Sequence, residues 1–537
     1  MESFKIVVFI MAILISLTAI ANKRKLPYPV LLVLAGLVIG FVPHLPNLAL
    51  DPDIVFVIIL PPLLYDAASR TSWHEFRTSI RPIATLAITL VFFTTVSVAV
   101  TAHYLIPGFE WALAFILGAV VSPPDAVAAS GIIKGLGLNK QVITILEGES
   151  LVNDASALIA YRSAVAAVTT GTFVFWKAGL QFLLVAGMGI LIGVLVGYVF
   201  VLAYKKIRNN PVVETSFTLL SPFISYLTAE QFHMSGVLAV VSTGLLIAWR
   251  APEVFSFRTR MQARVVWDIL VFLLQGFVFI MIGLQLPSII ADLSNYSFIE
   301  MLGYGLLISL VTITVRVIWV FAGAWWMNYM KKGRKEMVEG QNDHWKNVLV
   351  VAWTGTRGVI SLAAALALPL VLDDGSAFPK RHSIIFLSFV VIFMTLVVQG
   401  LSLPLLVRLL KIKPQKDAGS EDRELQLLLA TATLEFIAQE YPANKPDKTR
   451  DLLKSNYQLL VLQLTKEIRI IKKTGEEPVE GNDQQQDALL KERLKINHFQ
   501  RDLLLHLHKE GEFSDDALRK AEREMDINEL KLSLGDR

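Results

Sequence analysis

The sequence predicts an all-α membrane protein with about 13 transmembrane helices, inverted repeats, two crossed discontinuous helices and a cytoplasmic helical tail. Three observations lead there. Of the 537 residues, 54% are hydrophobic and only 18% are charged, against about 25% charged in a soluble globular chain. The apolar residues gather into runs as long as a bilayer-spanning helix, such as Phe4 to Ile20, Pro82 to Ile106 and Leu180 to Tyr204. Between the runs, basic residues fall on alternate loops.

Taken in order, the spans are expected near 4–20, 28–43, 53–68, 82–106, 110–133, 142–168, 176–204, 213–230, 235–249, 263–287, 297–327, 345–371 and 383–411. The first run is followed by Asn22, Lys23, Arg24 and Lys25 with no small-residue cleavage site, so it reads as a retained span rather than a secretory signal. Arg70, Arg77 and Arg81; Lys134 and Lys140; Lys205, Lys206 and Arg208; Arg250, Arg258, Arg260 and Arg264; and Lys331, Lys332, Arg334 and Lys335 all fall on one side. Lys177 and the pair Lys380/Arg381 are the exceptions on the other. The positive-inside rule makes the basic side cytoplasmic, with the N-terminus outside and the C-terminus inside. A short N-terminus without an organellar leader points to a bacterial plasma membrane.

The net charge of +4 is spread over short loops rather than gathered in one patch, which argues against a nucleic-acid partner. The absence of cysteine excludes disulfides, thiolate metal sites and a thiol nucleophile. The transmembrane domain is expected over residues 1–413 and a helical cytoplasmic domain over 414–537, with amphipathic helices near 424–440, 451–473 and 484–510. The tail contains no nucleotide-binding motif, helix packing accounts for its pattern, and no chemistry is assigned to it.

Ionisable residues inside spans are costly and by default mark an ion pathway. Asp66 closes the third span after Pro61-Pro62, and Asp125 follows Ser122-Pro123-Pro124 in the fifth. Glu147, Glu149, Asn153, Asp154 and Arg162 share the sixth, while Arg316 and Arg357 lie in the eleventh and twelfth. Two consecutive prolines remove two amide donors, so a helix break is expected beside Asp125. Thr354-Gly355-Thr356-Arg357-Gly358 forms the other interrupted stretch. These two stretches lie an odd number of spans apart and cross the membrane in opposite directions, as an inverted repeat would arrange them. Such breaks survive in a bilayer only inside protein or along a cavity. A packing kink is the bland alternative, and an Asp at the break weighs against it.

Ser150 and Asp154 stand four residues apart and face the same way, giving one helix face rich in oxygen ligands for a hard cation such as sodium. Asn153 is rotated by roughly 100° from Asp154 on an ideal helix and reads as a brace. Glu149 is off that face and is expected to pair with Arg316 as a structural ion pair. Arg357 has two readings, a counter-charge to a helix C-terminal dipole in span twelve or a neutralising partner for a carboxylate in the empty site. Arg162 and Glu147 are given no role.

With these residues in view, the chain resembles the sodium/proton exchanger family, the first branch of the monovalent cation/proton antiporters. The resemblance rests on Leu60-Pro61-Pro62 with Asp66, on residues 122–129 beginning Ser122-Pro123-Pro124-Asp125, and on residues 147–154 ending Asn153-Asp154. His233-Met234-Ser235-Gly236, Gly283-Leu284-Gln285-Leu286 and Gly355-Thr356-Arg357-Gly358 complete it, in family order. The resemblance implies a homodimer of bacterial type working by alternating access, with a core domain and a dimerisation domain. It implies that Asp154 binds sodium or a proton directly, with Asp125, Ser150 and the backbone at Pro124 completing the site and Asp66 contributing from the third span. Asn rather than Asp at position 153 matches the electroneutral branch, which exchanges one proton for one sodium.

The expected function is therefore secondary transport rather than enzymatic catalysis: Na+ and H+ compete for one carboxylate site, and no cofactor beyond the transported ions is called for. A potassium- or lithium-selective exchanger is the nearest rival, because ligand type does not measure cavity size. A passive cation channel would use the same acidic residues, but no repeated filter motif is present. An intramembrane aspartyl protease with Asp125 and Asp154 as its dyad lacks the Gly-x-Gly-Asp context.

Overall fold

The computed structural model describes residues 2–24, 27–42, 52–125, 140–170, 175–207, 210–291, 297–331, 344–372, 375–410, 427–428, 430–435 and 448–474. The chain divides into two compact units, Met1–Pro414 and Gln415–Arg537. In the first, the helices are α1 (Glu2–Arg24), α2 (Tyr28–Gly40), α3 (Leu60–Arg70), α4 (Trp73–Thr78), α5 (Ile80–Ala84), α6 (Val91–Leu105) and α7 (Trp111–Val121). They continue as α8 (Lys140–Thr170), α9 (Phe175–Ile207), α10 (Pro211–Gln231), α11 (Gly236–Val254), α12 (Phe257–Leu284), α13 (Leu286–Ala291), α14 (Phe298–Lys331), α15 (His344–Trp353), α16 (Val359–Leu366) and α17 (Arg381–Leu410). The second unit contributes α18 (Lys448–Thr474). The expected tail helix at 484–510, most of that at 424–440, the second half of the fifth span, and the loop residues Lys134, Arg208, Lys332, Arg334 and Lys335 lie outside the described residues.

Described helix falls in each of the stretches read as spans. Among the described residues, five segments are long and apolar enough to cross a bilayer by length and composition: Ile80–Leu105, Gly179–Ile207, Arg258–Ile290, Phe298–Trp326 and Arg381–Leu410. Their starts follow local chemistry. Asn210, Ser235 and Ser256 each accept a backbone N–H three residues on, capping α10, α11 and α12, and Pro211 supplies the fixed φ favoured at a first helical position. Just before Pro61 and Pro62 the chain takes a wider π-helical turn, Ile54–Ile59. The proline rings exclude the carbonyls four residues back, and the wider turn accommodates them.

Two sets of helices pack internally. One consists of α1, α2, α3, α9, α10, α11 and α12, in which α2 lies along α12 and α9 along α11. The other consists of α6, α7, α8, α14, α15 and α17. Apolar burial does not drive helices together in lipid, so close backbone approach through small residues takes its place. The α2–α12 contact is of this kind: a Cβ on Gly36 would collide with the Ile280 carbonyl, and one on Gly283 with the Val33 carbonyl. The seam between the two sets holds the polar site.

Candidate ion-binding site

The two interrupted helices meet at their breaks. α7 ends at Val121, just before Pro123 and Pro124, and Thr354–Gly358 separates α15 from α16. The Asp125 amide donates to the Thr356 carbonyl at 2.6 Å, and Thr356 Oγ1 donates to the Asp125 carbonyl at 3.1 Å. Arg357 Nε donates to the Val121 carbonyl at 3.0 Å, and the Arg357 amide to Thr395 Oγ1 of α17 at 3.1 Å. Each unwound stretch thus satisfies backbone groups of the other, which irregular backbone at membrane depth requires.

Arginines also sit where the half-helices expose carbonyls. Arg357 serves the C-terminus of α7 through Val121 and bonds the Gly355 carbonyl as well. Arg316 Nη2 reaches the Val351 carbonyl near the end of α15 at 3.2 Å. A cation at a helix C-terminus offsets the negative end of its dipole. Of the two sequence readings of Arg357, the contacts are of the dipole kind, with the added feature that the helix end it serves belongs to the other broken span.

The acidic residues divide by their surroundings. Glu149 receives two hydrogen bonds from Arg316, at 2.5 and 2.9 Å, and both side chains are almost wholly buried, 2% and 1% exposed. The Asp125 carboxylate lies against Gly358, the N-cap of α16, where a Cβ would collide with it. A side chain at position 358 would push the carboxylate off that helix N-terminus, which favours negative charge. Asn153 donates from Nδ2 to the Pro124 carbonyl at 2.7 Å, tying α8 to the break.

Asp154 is buried without an ion-pair partner among the described residues; the ionisable group acting on it is another carboxylate, Asp125. Asp154, Ser150 and Asp125 line one cavity of about 50 Å³, closed on the far side by α3, by Gln275 and Phe279 of α12, and by Ile360 of α16. That volume takes more than one water-sized occupant. The four-residue spacing of Ser150 and Asp154 accounts for their common face.

Asp66 does not line this cavity, although its neighbour Ala67 does. Arg70 Nε donates to both of its carboxylate oxygens at 2.9 Å, and Arg70 Nη2 donates to Asp268 at 2.7 Å. Arg162 pairs with Glu230 of α10, both oxygens at 3.0 Å. Thr356 and Thr395, which complete the crossing, and Gln275, which lines the cavity, take parts in the site that the sequence does not assign to them. Gln275 carried a usable signal, an amide between Leu274 and Gly276 inside an apolar span. For Thr395 the sequence carried little, since an intrahelical Thr hydroxyl ordinarily bonds its own backbone.

Helices crossing a membrane in many passes, with opposed breaks around a buried carboxylate cavity, define a multi-pass transporter of small ions. The chain belongs to the sodium/hydrogen exchanger family, whose transmembrane model matches residues 9–409. It is 31% identical over 535 residues to an uncharacterized Na(+)/H(+) exchanger of Mycobacterium tuberculosis, covering 98% of this chain and 96% of that one. An uncharacterized Na(+)/H(+) exchanger of Escherichia coli is 32% identical over 549 residues, covering 98% of each. A sodium, potassium, lithium and rubidium/H(+) antiporter of Bacillus subtilis is 32% identical over 415 residues, covering 75% of this chain and 61% of that one. Among solved structures, the sodium proton antiporter MjNhaP1 of Methanocaldococcus jannaschii shares the fold, with a TM-score of 0.60 at 21% identity over 76% of this chain and 99% of that one.

Proposed function

We propose that this cation/proton antiporter exchanges Na+ for H+ one for one across the plasma membrane, with Asp154 as the site that proton and sodium occupy in turn. The observation that carries the reading is the placement of Asp154: a buried carboxylate without a cationic partner among the described residues, opening on a cavity it shares with Ser150 and Asp125. An oxygen-lined pocket suits a hard cation. Asp125 supports the ion from the crossing, Pro124 holds Asn153 through its carbonyl, and Asn153 leaves position 153 uncharged. That last feature favours electroneutral exchange, since a loaded site then differs by one proton or one sodium.

The cycle follows from competition at one carboxylate. Sodium binds the deprotonated site, so acidifying either face raises the sodium concentration needed to load it there. A gradient of either ion drives the other by alternating access, with one helix set as the core domain and the other as the dimerisation domain, in a fold of about thirteen spans built from inverted repeats. In this reading the chain works as a homodimer in lipid, with its N-terminus outside and its tail in the cytoplasm.

The Bacillus subtilis relative, whose name includes potassium, lithium and rubidium, favours a second reading in which the same cavity accepts several monovalent cations. The test is dye-monitored exchange in proteoliposomes with sodium, lithium and potassium, with and without an ionophore that clamps the voltage. Sodium-driven proton movement is expected, insensitive to the clamp and lost in Asp154→Asn; full activity of that variant would sink the proposal. Equal rates with potassium would select the broader exchanger.

A further inference from the structure

The cavity has two unlike walls. Asp125, Ser150 and Asp154 face it from the crossing and from α8, whereas the wall formed by α3, the turn before it and α12 is apolar except for Gln275. Tyr28, the first residue of α2, donates its hydroxyl to Gln275 Oε1 at 3.0 Å. A glutamine amide has one acceptor oxygen and two donor hydrogens on nitrogen. With the oxygen engaged by Tyr28, the nitrogen remains for the cavity, where the acceptors are the two carboxylates and the Ser150 hydroxyl. The pair stands on a firm support, because α2 and α12 touch backbone to backbone at Gly36 and Gly283.

We propose that Gln275, turned by Tyr28, is a coupling latch that holds the unloaded carboxylates of Asp125 and Asp154 against the α3/α12 wall. The proposal rests on the antiport reading and adds to it a reason why the empty site does not cross. Hydrogen bonds to an ionised acceptor are roughly twice as strong as those to a neutral one. The amide therefore grips hardest when neither proton nor cation neutralises the carboxylates, and loosens when either is bound. Gln275 lines the cavity that the carboxylates share; Tyr28 is a positioning residue that sets which end of the amide faces it.

The experiment uses the full chain in proteoliposomes. Tracer sodium uptake driven by a potassium diffusion potential at equal pH on both sides is compared with exchange driven by a pH gradient in a second aliquot of the same preparation. A lost latch lets the unloaded site return, so the ratio of uncoupled to coupled sodium flux is expected to rise roughly tenfold in Gln275→Leu and about threefold in Tyr28→Phe. A purely structural role would lower both fluxes together and leave their ratio unchanged. If Gln275→Leu does not fold, Tyr28→Phe, which removes a single oxygen, carries the test. An unchanged ratio in the folded variants overturns the latch. Asp154→Asn runs in parallel: its full activity overturns the antiport reading itself, whereas its inactivity beside an unchanged ratio in Gln275→Leu overturns the latch alone.

Discussion

Two buried carboxylates on α8, Glu149 and Asp154, are five residues apart and live in opposite circumstances. Glu149 is closed off by two hydrogen bonds from an equally buried arginine. Asp154 faces a cavity, and the charge acting on it has the same sign as its own. Burial is therefore not what distinguishes a site from a strut. The distinction is whether the protein supplies the compensating charge or leaves that task to something that comes and goes.

The sharpest way to break this comparison is to remove the partner of Glu149 in one variant and the charge of Asp154 in another. Arg316→Leu leaves Glu149 buried and unpaired, and a loss of about 3–5 kcal/mol of stability is expected, read as a fall in melting temperature in detergent. Asp154→Asn, by contrast, abolishes exchange while leaving that melting temperature unchanged or higher, because it removes an uncompensated charge from the interior. Equal destabilisation by both would erase the distinction between them.

A smaller effect is expected at the crossing. Gly358→Ala drives a methyl group into the Asp125 carboxylate, and overpacking of this kind costs about 1–3 kcal/mol. Exchange should fall with stability, since the same displacement takes Asp125 out of the cavity wall. Asn153→Ala removes the hydrogen bond to the Pro124 carbonyl and should cost about 1 kcal/mol with a measurable decline in rate. At the low end, Arg70→Gln alters a pair whose arginine and Asp66 side chains are 40% and 11% exposed. Glutamine keeps a donor for the Asp66 carboxylate, so a change of about 1 kcal/mol is expected, with exchange largely retained. Loss of transport in that variant would bring Asp66 back into the site.

Much of this site was legible in sequence because lipid makes polar residues conspicuous. Pro123-Pro124 before Asp125 announced a broken helix, and Thr354–Gly358 announced the second, since prolines and glycines interrupt a helix wherever it lies. Helical spacing alone put Ser150 and Asp154 on one face. The mates of these residues were harder to read. Glu149 and Arg316, 167 positions apart, could be matched by opposite charge, whereas Asp125 and Thr356, 231 apart, meet through a backbone carbonyl and a hydroxyl that neither charge nor periodicity marks.

What the sequence determined by itself was the membrane setting, the helical stretches, the two breaks and the candidate carboxylates, because solvent, backbone sterics and helical period act locally. Tertiary structure alone decided that Arg357 serves the other broken helix and that Gln275 lines the ion cavity. Both depend on helices distant in sequence packing together, whereas the Asp66–Arg70 pair is one turn apart in α3 and local in origin.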